Sequence, residues 1–228
     1  MTAMTQDAAR LYRGTRQRVS AVAATLTEEQ LAGRVPACPL WTVRDLLGHL
    51  AGGCADLVSG NLDGAPSPTW TAAHVKVRAD LDLADLLAEW DENATELERR
   101  LDAGATHGFL PSNPFLDCGM HEADLHGAVG SGRGDPAVWL RTAQMFSAGV
   151  SRELGDTATL TVRTPDGEFT MGSGGEHTTV DTETYEFYRA LGGRRSRDQI
   201  AKWDWHGPAG DHPVTLAVLR QTPSDLAD

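Results

Sequence analysis

The sequence predicts a helical N-terminal bundle followed by a small α+β domain, and three observations carry that prediction. Apolar residues recur at helical spacing through most of residues 1–155. The helical stretches open on side chains suited to capping a helix N-terminus. Near Asp156 the pattern changes to strict alternation, the signature of strands. A chain of 228 residues with 40% apolar content is long enough to bury a real core. The expected boundaries are a bundle over 1–155, an α+β domain over 156–220 and a short tail over 221–228.

Taken in order, the first helix is expected from about Thr5 to Leu26, and TEEQ at Thr27 to Gln30 reads as a capping box opening a short helical turn. PACPLW breaks it. Thr42 and Asp45 form a second T-x-x-D box, which opens a helix from about Val43 to Leu62 with Leu46, Leu47, Leu50 and Leu57 near one side and His49 among them. GNLDGAPSPTW, rich in Gly, Pro and Ser, reads as a loop leading to a strongly patterned helix from about Leu83 to Leu101. A second loop, GATHGFLPSNP, precedes the helix that bears Glu122 and His126. Asp135 and Pro136 supply the cap and first turn of DPAVWLRTAQMFSAGVSREL. Four long helices joined by such loops pack as a bundle.

The second region opens with TATLTVRTP, PDG as a turn, and EFTMGS and HTTVDT as further extended segments. TETYEFYRALGG reads as a helix stopped by Gly192, SRDQIAKWDW as another capped by Ser196, and PVTLAVL as a last strand. QTPSDLAD reads as a frayed tail, and there is no internal repeat.

A formal net charge of −12 argues against nucleic acid or an anionic membrane as partner, because both need clustered cationic surface. The one basic cluster is Arg194, Arg195 and Arg197 in GGRRSRDQ. Cys38, Cys54 and Cys118 are odd in number and lack a C-x-x-C, so they suggest neither a disulfide framework nor a thiolate zinc site. The N-terminus is polar and amphipathic, and no stretch approaches the roughly 18 apolar residues of a membrane span. The expectation is a soluble cytoplasmic protein, monomer or homodimer.

The residues that carry chemistry are His49 in WTVRDLLGHLAG and the pair Glu122 and His126 in CGMHEADLHGAV. Spacing of i, i+4 puts Glu122 and His126 on one helix face a turn apart, where they can close on one ion with a ligand from a neighbouring helix. Three N/O ligands suit a divalent metal such as zinc and leave a coordination position open. Asp45 is better read as a capping partner than as a ligand to join His49. His121 projects about 100° away from Glu122 around the helix, a poor partner for His126, and Asp124 also faces away.

On VPACPLWTVRDLLGHLAG, HEADLHGA and YEFYRALGGRRSRDQIAKWDW, nearly the whole chain resembles the mycothiol-dependent maleylpyruvate isomerase family, in the DinB-like superfamily of metal-binding four-helix bundles. The resemblance implies a zinc site on His49, Glu122 and His126, and mycothiol as a thiol cosubstrate entering the open position. A coordinated thiol is deprotonated and held as the nucleophile. Added to an activated C=C bond and expelled after rotation, it gives a cis–trans isomerase; left attached to an electrophilic carbon, it gives an S-transferase. The partners implied are mycothiol and a small electrophile.

Arg195 and Arg194 are the candidates to clamp a substrate carboxylate through the planar guanidinium fork. Arg44, two residues past its cap, should point outward. Cys38 reads as a small filler in the turn before the His49 helix. Trp41 is expected to staple that helix start, and Trp203 and Trp205 to anchor the last helix on the sheet. Two other functions remain open: a metal-dependent hydrolase, for which no separate general base is evident, and a non-catalytic protein that binds a small ligand.

Overall fold

The computed structural model describes residues 3–104, 114–207 and 216–228, and divides into two compact units between Gly134 and Asp135, with Asp228 joining the first. The bundle of the first unit is built from α1 (Ala3–Ala23), α3 (Val43–Ser59), α5 (Leu83–Asp102) and α6 (Pro114–Val129). Between α1 and α3 lie a short helix, α2 (Glu28–Ala32), and a two-stranded antiparallel ribbon of β1 (Arg34–Val35) and β2 (Cys38–Thr42). α1 packs on α5 and α6, and α3 packs on α5, on α6 and on α4 (Pro68–Arg78).

Local capping sets these elements as the sequence anticipates. Thr27 with Gln30 and Thr42 with Asp45 both form complete capping boxes. The core between the helices is dominated by Leu46, Leu50, Trp90, Leu97 and Phe115, all buried. Buried Trp90 donates its indole N–H to the Tyr12 hydroxyl at 3.0 Å, so its one polar atom is satisfied.

α4 differs from the expectation of a loop across 60–70. Ser67 caps its N-terminus by accepting from the Trp70 amide, and Pro68 occupies the first helical position, where a missing N–H costs nothing. Gly52 on α3 makes room for it: a Cβ there would lie 2.5 Å from that of His74.

The second unit begins earlier than expected, because α7 (Pro136–Leu154) packs on the C-terminal elements. These are β3 (Ala158–Thr164), β4 (Gly167–Gly172), β5 (Glu176–Asp181), α8 (Thr184–Leu191), α9 (Arg197–Ala201) and β6 (Asp204–His206). The sheet order is β4-β3-β5-β6: β3 and β4 form the expected hairpin around Pro165 and Asp166, while β5 runs parallel to β3 on its other side. Phe169 on the sheet meets Phe187 on α8 with ring centroids 5.0 Å apart. Asp204 and Trp205, read as the end of a helix, form an edge strand with His206 instead, since α9 closes at Ala201 and Trp205 donates its indole N–H back to the Ile200 carbonyl. Residues 105–113 of the loop expected over 104–114 and 213–215 of the strand expected over 213–219 lie outside the described residues; 216–219 are not strand. Among the described residues no helix is long and apolar enough to cross a membrane.

Candidate metal centre

α6 is buried on nearly all sides: from Pro114 to His126 only Asp117 is not fully buried. Its polar side chains therefore serve two different neighbours. One face carries Glu122 towards α1, where Arg18 donates to both carboxylate oxygens, from Nε at 2.6 Å and from Nη2 at 3.0 Å. On the same face His126 lies with Nε2 4.0 Å from Glu122 Oε1 and Nδ1 2.9 Å from Ser131 Oγ. Burial pushes the His126 pKa down against the pull of Glu122 and Ser131, which keeps its ring neutral beside the Arg18 guanidinium.

The other face carries Asp117 and His121, also i, i+4, towards α3. His49 Nε2 lies 3.4 Å from Asp117 Oδ2, and His121 Nε2 lies 3.7 Å from Asp117 Oδ1. One ligand atom from each of these three residues falls within 4.8 Å of the others. Among the described residues, His49 thus gathers with Asp117 and His121 and not with Glu122 and His126. The physical reason is helix phase: 117 and 121 share the side of α6 that meets α3, whereas 122 and 126, five residues on, are turned about 140° around the helix towards α1.

The donor set fits a divalent metal. Two imidazoles and one carboxylate from facing helices are a three-ligand arrangement with room for a further ligand. His121 Nδ1 is 3.0 Å from Asp124 Oδ2, and the Cys38 thiol donates to the same oxygen at 3.7 Å. Burial alone would lower the His121 pKa, but the bond to Asp124, with Cys38 and Asp117 behind it, lifts it to about 10. Cys38, His121 and Asp124 also form a second close group, sharing His121 with the first.

Trp41 covers both rings, its own ring 4.9 Å from that of His49 and 5.7 Å from that of His121. Its ring thus faces the site, a role beyond the staple expected of it. With Cys38 it also lines a cleft of about 640 Å³ whose other walls include Leu40, Pro68, Val75 and Lys76. Behind His49 stands His74 of α4, with the two Nδ1 atoms 3.2 Å apart and His74 Nε2 2.9 Å from Asp56 Oδ2. The sequence reading missed Asp117, His121, His74 and Asp56. The first two carried a legible signal, an i, i+4 pair equal in spacing to the one chosen; the last two meet only through the packing of α4 on α3.

The arginines are placed in the second unit. Arg195 is 1% exposed, and its fork is taken by Glu186, at 2.5 Å from Nε and 2.9 Å from Nη2, while Nη1 donates to the Arg194 carbonyl. Arg194 donates from Nη1 to the Gly192 carbonyl at 2.7 Å. Binding a substrate carboxylate at Arg195 would require Glu186 to release it. Arg44 pairs with Glu28 and the Leu81 carbonyl.

Residues 12–127, just over half of the chain, match the model of the mycothiol maleylpyruvate isomerase N-terminal domain. No curated protein matches the chain. Two crystal structures share the fold: a mycothiol-dependent maleylpyruvate isomerase at 16% identity and a histidine-to-alanine mutant of such an enzyme at 14%. Each superposes with a TM-score of 0.55 over 83% of this chain and 89% of the other. On the family match the chain belongs to the mycothiol-dependent maleylpyruvate isomerase family.

Proposed function

We propose that this protein is a mycothiol-dependent enzyme of the maleylpyruvate isomerase or S-transferase type that holds a divalent metal, zinc by its donor set, on His49, Asp117 and His121. The observation that carries this reading is the convergence of those three side chains from α3 and α6 within 4.8 Å. It replaces Glu122 and His126 of the sequence expectation, whose carboxylate is engaged by Arg18.

A bound divalent cation supplies a Lewis-acid centre that deprotonates an incoming thiol and holds it. The chain's own residues prepare for that. Asp124 holds His121 by Nδ1, so that His121 presents Nε2 to the pocket. Trp41 covers one side of the pocket, its ring against those of both His49 and His121. The apolar cleft beside Trp41 and Cys38 suits the body of a small electrophile, with Lys76 at its wall available to an anionic group. Cys54 and Cys118 do not compete as nucleophiles: burial pushes the Cys54 thiol up to about 11 and raises Cys118 as well. Arg194 and Arg195 stay the proposed partners of a substrate carboxylate, with the Arg195 fork to be released by Glu186 first.

Turnover of maleylpyruvate and a panel of electrophiles, with mycothiol present or absent and before and after chelation, tests this function. Turnover that needs both thiol and metal is expected. Thiol-independent hydrolysis, or binding without turnover, would overturn it.

A further inference from the structure

His74 is one of the most enclosed polar side chains of the first unit, and it is used by nothing in the chemistry above. It is 3% exposed, sits against the gap left by Gly52, and has Trp70 edge-on at 4.2 Å. Both of its ring nitrogens are engaged, Nδ1 with His49 Nδ1 at 3.2 Å and Nε2 with Asp56 Oδ2 at 2.9 Å. Asp56 is itself held, its other oxygen accepting from the Asn61 amide at 3.1 Å. Asn61 in turn accepts the Trp70 indole N–H at its carbonyl.

The protons in this chain have one consistent order. A carboxylate only accepts, so His74 Nε2 must carry the hydrogen that points at Asp56. A neutral His74 then has a bare Nδ1, which can only accept, and the hydrogen between the two rings belongs to His49 Nδ1. His49 then has Nε2 left for the Asp117 side, 3.4 Å from Oδ2, where two acceptors close only on a cation between them, a metal ion or a second proton. The reverse order would set an unprotonated His74 Nε2 against the Asp56 carboxylate at 2.9 Å, lone pair to lone pair in a buried site.

We propose that Asp56 and His74 form a relay that fixes the hydrogen on His49 Nδ1 and aims His49 Nε2 at Asp117 and His121, making His74 a positioning residue for a metal ligand. The metal consequence rests on the reading given under Proposed function; the ring protonation does not. Such outer partners typically contribute about 10–100-fold in metal affinity by orienting the ligand ring. Asp124 gives His121 the equivalent support directly, whereas His49 reaches its carboxylate through a second imidazole.

Two measurements on the full chain test this. Long-range ¹H–¹⁵N correlation spectra of the metal-free protein at mildly alkaline pH report which nitrogen of each ring is protonated. We expect Nδ1–H on His49 and Nε2–H on His74; a His49 that lacks Nδ1–H would overturn the relay. Zinc affinity by chelator competition is then compared for the native chain, His74→Phe and His74→Asn, with circular dichroism confirming the fold of each. His74→Phe, which keeps the bulk against Gly52, should bind zinc about 10–100-fold more weakly. His74→Asn, whose amide oxygen takes the place of Nδ1, should recover most of that loss. Equal affinity in all three overturns the positioning role. Failure of the native chain to bind zinc overturns the metal reading, and the spectra still decide the relay.

Discussion

Arg18 grips Glu122 through both carboxylate oxygens, at 2.6 Å and 3.0 Å, and so ties α1 to α6 across the bundle. The side chain of Glu122 is only 2% exposed while that of Arg18 is 34% exposed, which makes the two ends of this pair unequal. Arg18→Ala strands a buried carboxylate and should cost about 3–5 kcal/mol in a urea titration. Glu122→Gln leaves an arginine that can rehydrate and should cost less, about 1–3 kcal/mol. Neither change should alter metal content, because Glu122 serves the α1–α6 contact.

Gly52 is the gap through which His74 reaches His49. A Cβ at 52 would lie 2.5 Å from His74 Cβ, 2.6 Å from its Cγ and 2.8 Å from Arg78 Nη1. Alanine is the better helix former, but the overlap should dominate, for a net loss of about 1–2 kcal/mol with weakened metal binding. A stabilised Gly52→Ala protein would mean that α4 is not seated as described.

How far the sequence revealed this site depends on which interactions are local. The capping boxes at Thr27 and Thr42 are contained within four residues each and form as their spacing predicts, and Ser196 caps its helix as expected, with Gln199 completing a third box. The α4 start was legible too, as Ser67 before Pro68, but the surrounding Gly and Pro residues hid it. Helix phase on α6 was not legible. A helix buried all round has no polar stripe to mark its inner side, so Asp117/His121 and Glu122/His126 are equivalent by spacing alone. Only the packing of α3 on one flank and α1 on the other separates them.

Cysteine reactivity follows burial. Cys54 has its thiol pushed up to about 11, chiefly by desolvation. Its pKa in the unfolded chain is about 8.5, so between those values the folded state keeps a proton that the unfolded state releases. Cys54 therefore stabilises the fold fully below about pH 8.5, and that contribution falls as pH rises towards 11. Alkylation followed by mass spectrometry at pH 8 should modify the half-buried Cys38 first and leave Cys54 and Cys118 untouched until the chain unfolds.

Arg195 and Glu186 supply a matching test in the second unit. With Arg195 1% exposed and bidentate on Glu186, Arg195→Ala should cost about 3–5 kcal/mol, and Arg195→Lys should recover little, since an ammonium cannot reproduce the fork. A normally stable Arg195→Lys protein with a raised KM would instead assign Arg195 to the substrate.

The central claim is that the metal sits between α3 and α6 on His49, Asp117 and His121. Metal content per chain by mass spectrometry, measured on the native protein and on single variants at both faces of α6, tests it most directly. The account predicts bound zinc in the native chain, loss of it in His49→Ala, Asp117→Ala and His121→Ala, and retention in Glu122→Gln and His126→Ala. Loss in Glu122→Gln and His126→Ala, with retention in Asp117→Ala and His121→Ala, would contradict it.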